Sequence, residues 1–583
     1  MDSMPFSVVA EYFQKLESTS SRLQMTEFLV ELFKKTPGEE IDKVAYLCLG
    51  HFAPEYEDIV LGIGDKTMIH AISMASHRMP SEVTARFKEI GDLGSTAESM
   101  MGSGKGFSLA SFTGQDTGQL TVNEVFVSLR KIANASGKKS QDVKIKTLAG
   151  LLSKAKPLEA RYIVRIGLET LRLGTGAMTL LDALATLYAR EKKNRPIIEN
   201  AYNISSDIGL VARELATGGL KGVERIKPIV GRPIKMMAAQ RVQRLEEIPE
   251  KMEKFAVEEK YDGERVQIHK DGAEINIFSR RLENITAQYP DVIGLVKRGI
   301  KADKVILEGE VVAVKGNRLQ PFQILMQRKR KYDIDEYVKR IPIRVFLFDL
   351  LFFEKESYLK KPYTERRKKL EGIVKESKDL TFARRIVSND LDEIRGFFDE
   401  GLKHGTEGIM AKSMSYDSIY RAGAREWLWI KWKKDYLEGL VDTFDLVLVG
   451  AFMGTGKRAG VYGTVLGAVY NADKDMFETF CKVGTGFTDE ILEDMPGRFK
   501  EFVAREKPAR VRAHRDMKPD VWFEPAVVME ISGAEITESP LHTCASDELG
   551  KGLSLRFPRF KQFREKKPED ATSTEEVIQM YEK

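Results

Sequence analysis

The chain has 583 residues, 42% hydrophobic and 31% charged, and its 92 Lys+Arg against 87 Asp+Glu leave a formal charge of +5. At about 150 residues per domain this length predicts three or four domains, and the apolar fraction excludes global disorder. The small positive excess permits nucleic-acid binding without requiring it, because a groove needs a local basic patch rather than a high total.

Apolar runs such as 343–353 are too short to span a bilayer and carry charges. The opening Met1-Asp2-Ser3-Met4-Pro5 lacks a basic segment followed by an apolar stretch, so no secretory signal is expected. Cys48, Cys481 and Cys544 lie far apart, and no CxxC repeat or Cys/His cluster offers a zinc site. Together these features predict a soluble protein of a reducing compartment, the cytoplasm, with no membrane contact and no disulfide framework.

Residues 1–225 read as helices. Phe28, Leu29, Leu32 and Phe33 follow helical spacing, as do Val125, Phe126, Leu129 and Ile132. Pro157 suits the first turn of a helix carrying Leu158, Tyr162, Ile163, Ile166 and Leu171. Residues 94–118, rich in Gly, Ser and Thr, predict a flexible loop between two helical groups. In Leu171-Arg172-Leu173-Gly174-Thr175-Gly176 one helix should end, with Gly174 just past it and Thr179 capping the next. Amides exposed at such a junction bind phosphate without reading bases, although a plain interhelical turn has the same composition. Gly218-Gly219-Leu220-Lys221-Gly222 carries the same ambiguity.

From Val257 the period changes to two. Val266 and Ile268, then Ile275 and Ile277, flank Lys270-Asp271-Gly272, a hairpin signal. Residues 305–314 and 343–353 are further strands, with helices near 365–375 and 392–402, which makes this region α+β. Beyond Tyr436 the strands are shorter and closer (444–449, 464–470, 479–483, 526–531) and glycines punctuate them, the pattern of a small β-barrel. A helical tail follows at 574–581.

The sharpest chemical feature is Lys260-Tyr261-Asp262-Gly263-Glu264-Arg265: a strand delivers a lysine, a glycine permits a tight turn, and an arginine follows. An ordinary exposed strand–turn with a salt bridge could carry the same residues. Further along, Lys431 and Lys433 are two apart on a strand and so share a face, which would also carry Trp427 and Trp429, while Leu428, Ile430 and Trp432 point to the core. Two converging lysines repel each other, and they make sense beside a polyphosphate. Glu308 and Glu310 share a strand face by the same rule.

The lysine motif resembles the first motif of the covalent nucleotidyltransferases: ATP-dependent DNA ligases, RNA ligases and mRNA capping enzymes. The rest of that family's pattern follows in order in Ser279-Arg280-Arg281, Leu307-Glu308-Gly309-Glu310, Phe348-Asp349-Leu350, Glu407-Gly408-Ile409-Met410 and Trp429-Ile430-Lys431-Trp432-Lys433-Lys434. Outside this span, Arg172-Leu173-Gly174, Gly231-Arg232-Pro233, Glu538-Ser539-Pro540-Leu541-His542 and Arg556-Phe557-Pro558-Arg559-Phe560 resemble the archaeal and eukaryal replicative DNA ligases, so the likeness covers nearly the whole chain.

The resemblance implies an all-α N-terminal DNA-binding domain (1–225), an α+β nucleotidyltransferase or adenylation domain (226–436), and a C-terminal OB-fold β-barrel with a helical tail (437–583). It implies ATP-dependent sealing of nicked duplex DNA in replication, repair and recombination. Lys260 would form the lysine–AMP intermediate. Such an amine must be neutral to attack, and a lysine of ordinary pKa is neutral in only about one part in 2500 at pH 7, so neighbouring cations and burial have to help.

For the nucleotide, the resemblance points to Glu258, Arg265, Arg280, Glu310, Phe348, Arg425, Lys431 and Lys433, with Phe348 stacking on adenine and the arginines facing nucleotide or DNA phosphates. Glu310 and Glu407 suit Mg²⁺, a hard cation that prefers oxygen ligands; Glu310 stays open between metal and ribose. The terminal motif departs from the family pattern, since Arg564-Glu565-Lys566-Lys567 carries lysine where aspartate is usual. Arg564 and Lys567 still match and could orient leaving pyrophosphate.

The implied partners are nicked DNA and the replication sliding clamp, which would dock on Lys105-Gly106-Phe107-Ser108-Leu109-Ala110-Ser111-Phe112. The protein would work as a monomer. An RNA ligase or GTP-using capping enzyme is the alternative within the superfamily, and a non-catalytic nick-binding protein is the alternative outside catalysis. NAD as primary cofactor is disfavoured by the missing zinc cysteines.

Overall fold

The computed structural model describes residues 3–19, 21–102, 119–137, 139–171, 173–189, 192–328, 334–433, 443–454, 461–533 and 535–582. Arg172, the 105–112 segment with Phe107 and Phe112, and Lys434 lie outside them. The chain divides into two compact units, Met1–Tyr202 with Ser206–Ile226, and Asn203–Ser205 with Lys227–Lys583.

The first unit is helical. Val122–Ala133 shows why: Thr121 caps it, Glu124 closes a capping box, and Val122, Val125, Phe126, Leu129 and Ile132 form one buried face. Pro157 opens the helix Pro157–Gly167 as expected, but that helix ends before its predicted junction, leaving Leu171 and Gly174 outside it. Thr179 is no cap either; it is buried inside Ala177–Leu184, whose N-cap is Gly176. The loop expected from Gly94 is helical as far as Gly102 (Leu93–Gly102). There Gly94 is required by packing, since a Cβ would lie 2.7 Å from the Arg161 carbonyl oxygen. Residues 218–222 likewise belong to the helix Ile208–Glu224, which kinks at Gly219.

The second unit begins with two sheets. One has the strand order β1-β12-β11-β2-β10, from β1 (Ala238–Arg241), β2 (Phe255–Lys260), β10 (Arg385–Val387), β11 (Gly408–Ser413) and β12 (Arg425–Lys433). The other runs β4-β3-β5-β7-β8, from β3 (Glu264–Asp271), β4 (Glu274–Ser279), β5 (Lys304–Lys315), β7 (Ile343–Phe353) and β8 (Glu356–Ser357), with β6 (Arg318–Leu319) on β5 and β9 (Leu380–Phe382) on β7. Each sheet has its own core. Val257, Ile409, Ile430 and Trp432 pack with Ile394, Phe397 and Phe398 of the helix Leu391–His404. Val266, Ile268, Leu307 and Leu347 pack with Val292 and Val296 of the helix Pro290–Gly299. Each such fully buried side chain contributes about 1.5–3 kcal/mol, which fixes the alternation of the strands and sends their other faces toward polar neighbours.

The C-terminal part is β-rich: β13 (Thr443–Met453), β14 (Tyr462–Asn471), β15 (Met476–Val483), β16 (Val503–Ala504), β17 (Val511–Arg512), β18 (Val521–Phe523), β19 (Val528–Ser532), β20 (Glu535–Ser539), β21 (Gly552–Arg556) and β22 (Arg559–Arg564). Eight of them form one sheet in the order β16-β18-β13-β14-β15-β17, with β19 bridging β13 to β22; among the described residues these pairings form a branched path rather than a closed ring. The tail helix Thr574–Tyr581 is capped by Ser573 and Glu576. All three cysteines are free and buried. Among the described residues, no helix is long and apolar enough to cross a membrane.

Candidate active site

Glu258, Lys260, Arg265, Arg280, Glu310, Phe348, Glu407, Arg425, Lys431 and Lys433 all line one cleft of the second unit. Strand register brings them there. Lys260 ends β2, and Gly408 is paired with Lys260 on one side and with Lys433 on the other. Glu407, immediately before Gly408, therefore reaches both lysines: its carboxylate takes Lys260 Nζ and, at 3.0 Å, Lys433 Nζ. Only glycine fits at 408, since a Cβ would lie 2.2 Å from the Trp432 carbonyl oxygen. Burial alone would push the Glu407 carboxyl up, but Lys260, then Lys433 and Arg564, outweigh it and hold it well below the ordinary carboxylate range.

One end of the cleft is an aromatic slot. Phe348 on β7 and Trp429 on β12 meet edge to face at 6.3 Å between centroids. Lys412 Nζ sits 4.6 Å from the Phe348 ring and 4.5 Å from that of Trp429, and 2.7 Å from Glu258. Glu258 also accepts from Tyr363 Oη (2.6 Å) and Arg367 (3.3 Å). Arg265 packs here too, 5.4 Å from both rings, with Glu308 at 2.8 Å and the Met237 carbonyl holding its guanidinium. Glu308 is fully buried in that network, whereas Glu310 lines the cleft.

The other end is cationic. Lys431 has no carboxylate partner among the described residues, and burial, then Lys566, Arg425 and Lys433, push its pKa well below that of an ordinary lysine. Arg425 pairs with Glu576 of the tail helix, and Arg280 lies 3.6 Å from Asp570. Arg564 pairs with Glu530 at 2.9 Å, and Lys566 with Asp445. Burial, against the pull of Asp445 and with the push of Arg280 and Arg564, brings Lys566 down to about 8. The unexpected lysine of the terminal motif is thus part of this wall, whereas Lys567 does not line the cleft.

One expected placement fails. Trp427 does not share the face of Trp429, Lys431 and Lys433; it packs against the cluster of Ile430 and Trp432. The pairing of β1 with β12 jumps from Glu426 to Ile430 between successive β1 residues, and this irregularity resets the two-residue alternation, leaving Leu428 outside that core. Sequence reasoning also passed over Lys412, Asp262 and Asp445. A lysine inside the apolar strand Gly-Ile-Met-Ala-Lys-Ser was a usable signal for Lys412. Nothing local marks Asp445, whose partner is 121 residues away.

Burial first, then the Glu407 and Asp262 charges, raises Glu310 to about 8 against the pull of Lys260 and Arg265. A half-buried carboxyl raised in this way, with Glu407 and Asp262 nearby, could take part in holding a divalent cation. Among the described residues no group of three or more His, Cys, Asp or Glu could hold a metal by itself. That suits Mg²⁺, which is commonly bound by one or two carboxylates together with substrate phosphates.

Comparison with known proteins agrees with this layout. Residues 5–185 match the family described as DNA ligase N terminus, 236–433 the ATP dependent DNA ligase domain, and 458–567 the ATP dependent DNA ligase C terminal region. The DNA ligase of Staphylothermus marinus is 48% identical, covering 100% of this chain and 99% of its own. That of Acidianus ambivalens is 47% identical over 99% and 97%, and that of Sulfophobococcus zilligii 48% over 100% and 98%. These relatives do not favour an RNA ligase or a capping enzyme. The chain belongs to the archaeal-type ATP-dependent DNA ligases, enzymes that seal nicks in DNA with ATP as substrate and Mg²⁺ as the usual metal.

Proposed function

We propose that Lys260 is the nucleophile of a three-step ligation. Its neutral amine attacks the α-phosphorus of ATP; an N–P bond forms, the α–β anhydride bond breaks, pyrophosphate leaves with the electron pair, and the amine gives up a proton to solvent. A 5′-phosphate oxygen of the nick then attacks the AMP phosphorus, the P–N bond breaks, and the lysine takes a proton back. Finally the 3′-oxygen attacks the 5′-phosphorus, its proton is released, AMP leaves, and the strand is closed.

The observation that carries this is the place of Lys260: bound to Glu407 at the junction of the aromatic slot and the cationic wall. Adenine would lie in the slot of Phe348 and Trp429, with Glu258 and Lys412 as acceptor and donor at its rim and Arg265 beside it. The polyphosphate would extend toward Lys431, Lys433, Arg280, Arg425, Arg564 and Lys566. Such fixed cations stabilise the transferring charge without reorganising. Glu310, with Glu407 beside it, would hold Mg²⁺, whose contribution is to neutralise charge on the phosphates.

The test is label transfer from α-labelled ATP and GTP, resolved on a denaturing gel. Wild type should be labelled from ATP, and Lys260→Ala should not. That variant should still seal a pre-adenylylated nick slowly, because the last step needs no free lysine. A labelled Lys260→Ala protein would overturn the assignment.

We further place the domain boundaries at 225/226 and 436/437; the division of contacts at Ile226/Lys227 supports the first. The helical region would supply duplex contacts through phosphates, with little sequence preference. Because one chain carries every group the chemistry uses, we propose a monomer, acting in the cytoplasm. Docking on the sliding clamp through 105–112 is supported by its paired aromatics alone, and unchanged clamp affinity in a Phe107→Ala/Phe112→Ala variant would remove that site.

A further inference from the structure

Glu258, the carboxylate at the rim of the aromatic slot, is held from behind by a single helix. Tyr363 opens the helix Tyr363–Ile373, and Arg367 lies one turn further along the same face. Both bind one oxygen: Glu258 Oε1 accepts from Tyr363 Oη at 2.6 Å and from Arg367 Nη1 at 3.3 Å, while Oε2 faces Lys412 Nζ at 2.7 Å. Tyr363 and Arg367 are buried and do not line the cleft. Arg367 is itself fixed, with Nε on Glu371 at 2.8 Å and Nη2 on the Ala383 carbonyl at 3.1 Å. Between these two residues the helix also sends Arg366 to Asp349, the neighbour of Phe348, through contacts of 2.7 and 3.0 Å. One rigid element thereby sets the position of both the ring and the carboxylate of the slot.

A carboxylate has about four lone-pair sites. Three donors already engage Glu258, so the acceptor capacity it offers to the cleft has a fixed direction. Burial, then the charge of Glu258, pushes the Tyr363 phenol well above its usual range, so its hydroxyl stays a donor. Adenine carries an amino donor at C6 and an acceptor at N1; guanine carries a carbonyl acceptor at C6 and an N–H at N1. A Glu258–Lys412 pair free to turn meets either pattern, whereas a pair pinned at Oε1 meets one. A buried site built for one hydrogen-bond pattern rejects a ligand that leaves its polar groups unpaired.

We infer that Tyr363 and Arg367 set the choice of adenine over guanine, by pinning Glu258 as the acceptor for the 6-amino group; this rests on the placing of adenine in the slot and on Lys260 as nucleophile. Both are positioning residues, since they reach the base only through Glu258.

The experiment measures label transfer to the full-length protein from α-labelled ATP, GTP and purine riboside triphosphate, which has no substituent at C6. At limiting nucleotide, wild type should prefer ATP to purine riboside triphosphate by about tenfold or more, the worth of one hydrogen bond to a charged acceptor. In Tyr363→Phe that preference should shrink by about threefold or more, and the preference for ATP over GTP should shrink with it. The change should appear as a higher half-saturating ATP concentration rather than a lower maximal rate, because the base is remote from the reacting phosphorus. Arg367→Lys keeps the charge but loses the three-way fork, and it should shift both preferences in the same direction. Ile373→Val, a core change at the far end of the same helix, lowers stability and should leave both preferences at the wild-type value.

Wild-type preferences in Tyr363→Phe and Arg367→Lys would overturn the proposal. So would an equal loss with all three triphosphates, the mark of a merely structural defect, or the same shift in Ile373→Val. Should Tyr363→Phe fail to fold, Arg367→Lys decides. The underlying reading fails in different ways. A wild-type protein indifferent to the C6 substituent would remove the placing of adenine, and this proposal with it, while persistent labelling of Lys260→Ala would remove the nucleophile.

Discussion

The Lys260–Glu407–Lys433 arrangement is asymmetric, and the asymmetry has a measurable consequence. Removing Lys260 as Lys260→Met leaves Glu407 still bonded to Lys433 at 3.0 Å. Removing the carboxylate as Glu407→Gln takes away the group that bridges the two lysines and leaves them close together with Arg564 nearby, Glu310 and Asp262 still acting on Lys260. Breaking a buried ion pair by removing one partner costs about 3–5 kcal/mol. Here the Lys260 and Glu407 side chains are each 21% exposed and Lys433 is 9% exposed, so water recovers part of that. Glu407→Gln should therefore cost about 2 kcal/mol, and Lys260→Met about 1 kcal/mol or less.

The double variant should be no less stable than Glu407→Gln, because the second change removes one of the stranded cations. Guanidinium unfolding of the three proteins near neutral pH gives the order, and both single variants should lose label transfer. The sign with pH follows from the depressed Glu407 carboxyl: its contribution is present above the ordinary carboxylate pKa and is lost as pH falls below it, so the gap between wild type and Glu407→Gln should narrow in acid. A Lys260→Met protein as unstable as Glu407→Gln, or a gap that widens in acid, would refute the reasoning.

Glu310, raised to about 8, stabilises the fold below its unfolded pKa and loses that contribution as pH rises through 8; metal binding must displace its proton. Calorimetric Mg²⁺ affinity, measured with ATP bound, should therefore be higher at about pH 8.5 than at about pH 6.5, by up to about tenfold per unit. Glu310→Gln should abolish the dependence, whereas a ribose role would leave it in place. Lys431→Met should leave the free protein at least as stable as wild type, since a half-buried amine crowded by Lys566, Arg425 and Lys433 is replaced by an apolar group of similar length, while label transfer falls steeply. A variant that is both less stable and inactive would mean Lys431 is structurally paired. Residues 226–583 alone should still be labelled by ATP yet join nicks orders of magnitude more slowly at nanomolar DNA, and equal joining by the truncated and full-length chains would show that the helical region is not the DNA clamp.

What the sequence determined by itself is the ordered set of motifs and the strands that carry them. The strand Ile343–Phe353 and the tail helix Thr574–Tyr581 were legible to the residue, because the bounds of a short apolar run and of a terminal helix are set by local sequence. Signals that depend on partners were not. Thr179 looked like a cap but is core, because helix packing rather than hydroxyl chemistry decided its place. Trp427 follows the strand period on paper and leaves it in the fold, since an irregular pairing with β1 resets the alternation.

The clearest case is the pair Lys431 and Lys433, which strand spacing treats alike. Register separates them. Lys433 lies opposite Gly408 and receives the Glu407 carboxylate, while Lys431 lies opposite Met410 and receives none. One lysine is thereby neutralised and the other left half-buried with no carboxylate partner among the described residues. That difference depends on pairing between strands rather than on spacing along one, so only the tertiary structure could decide it.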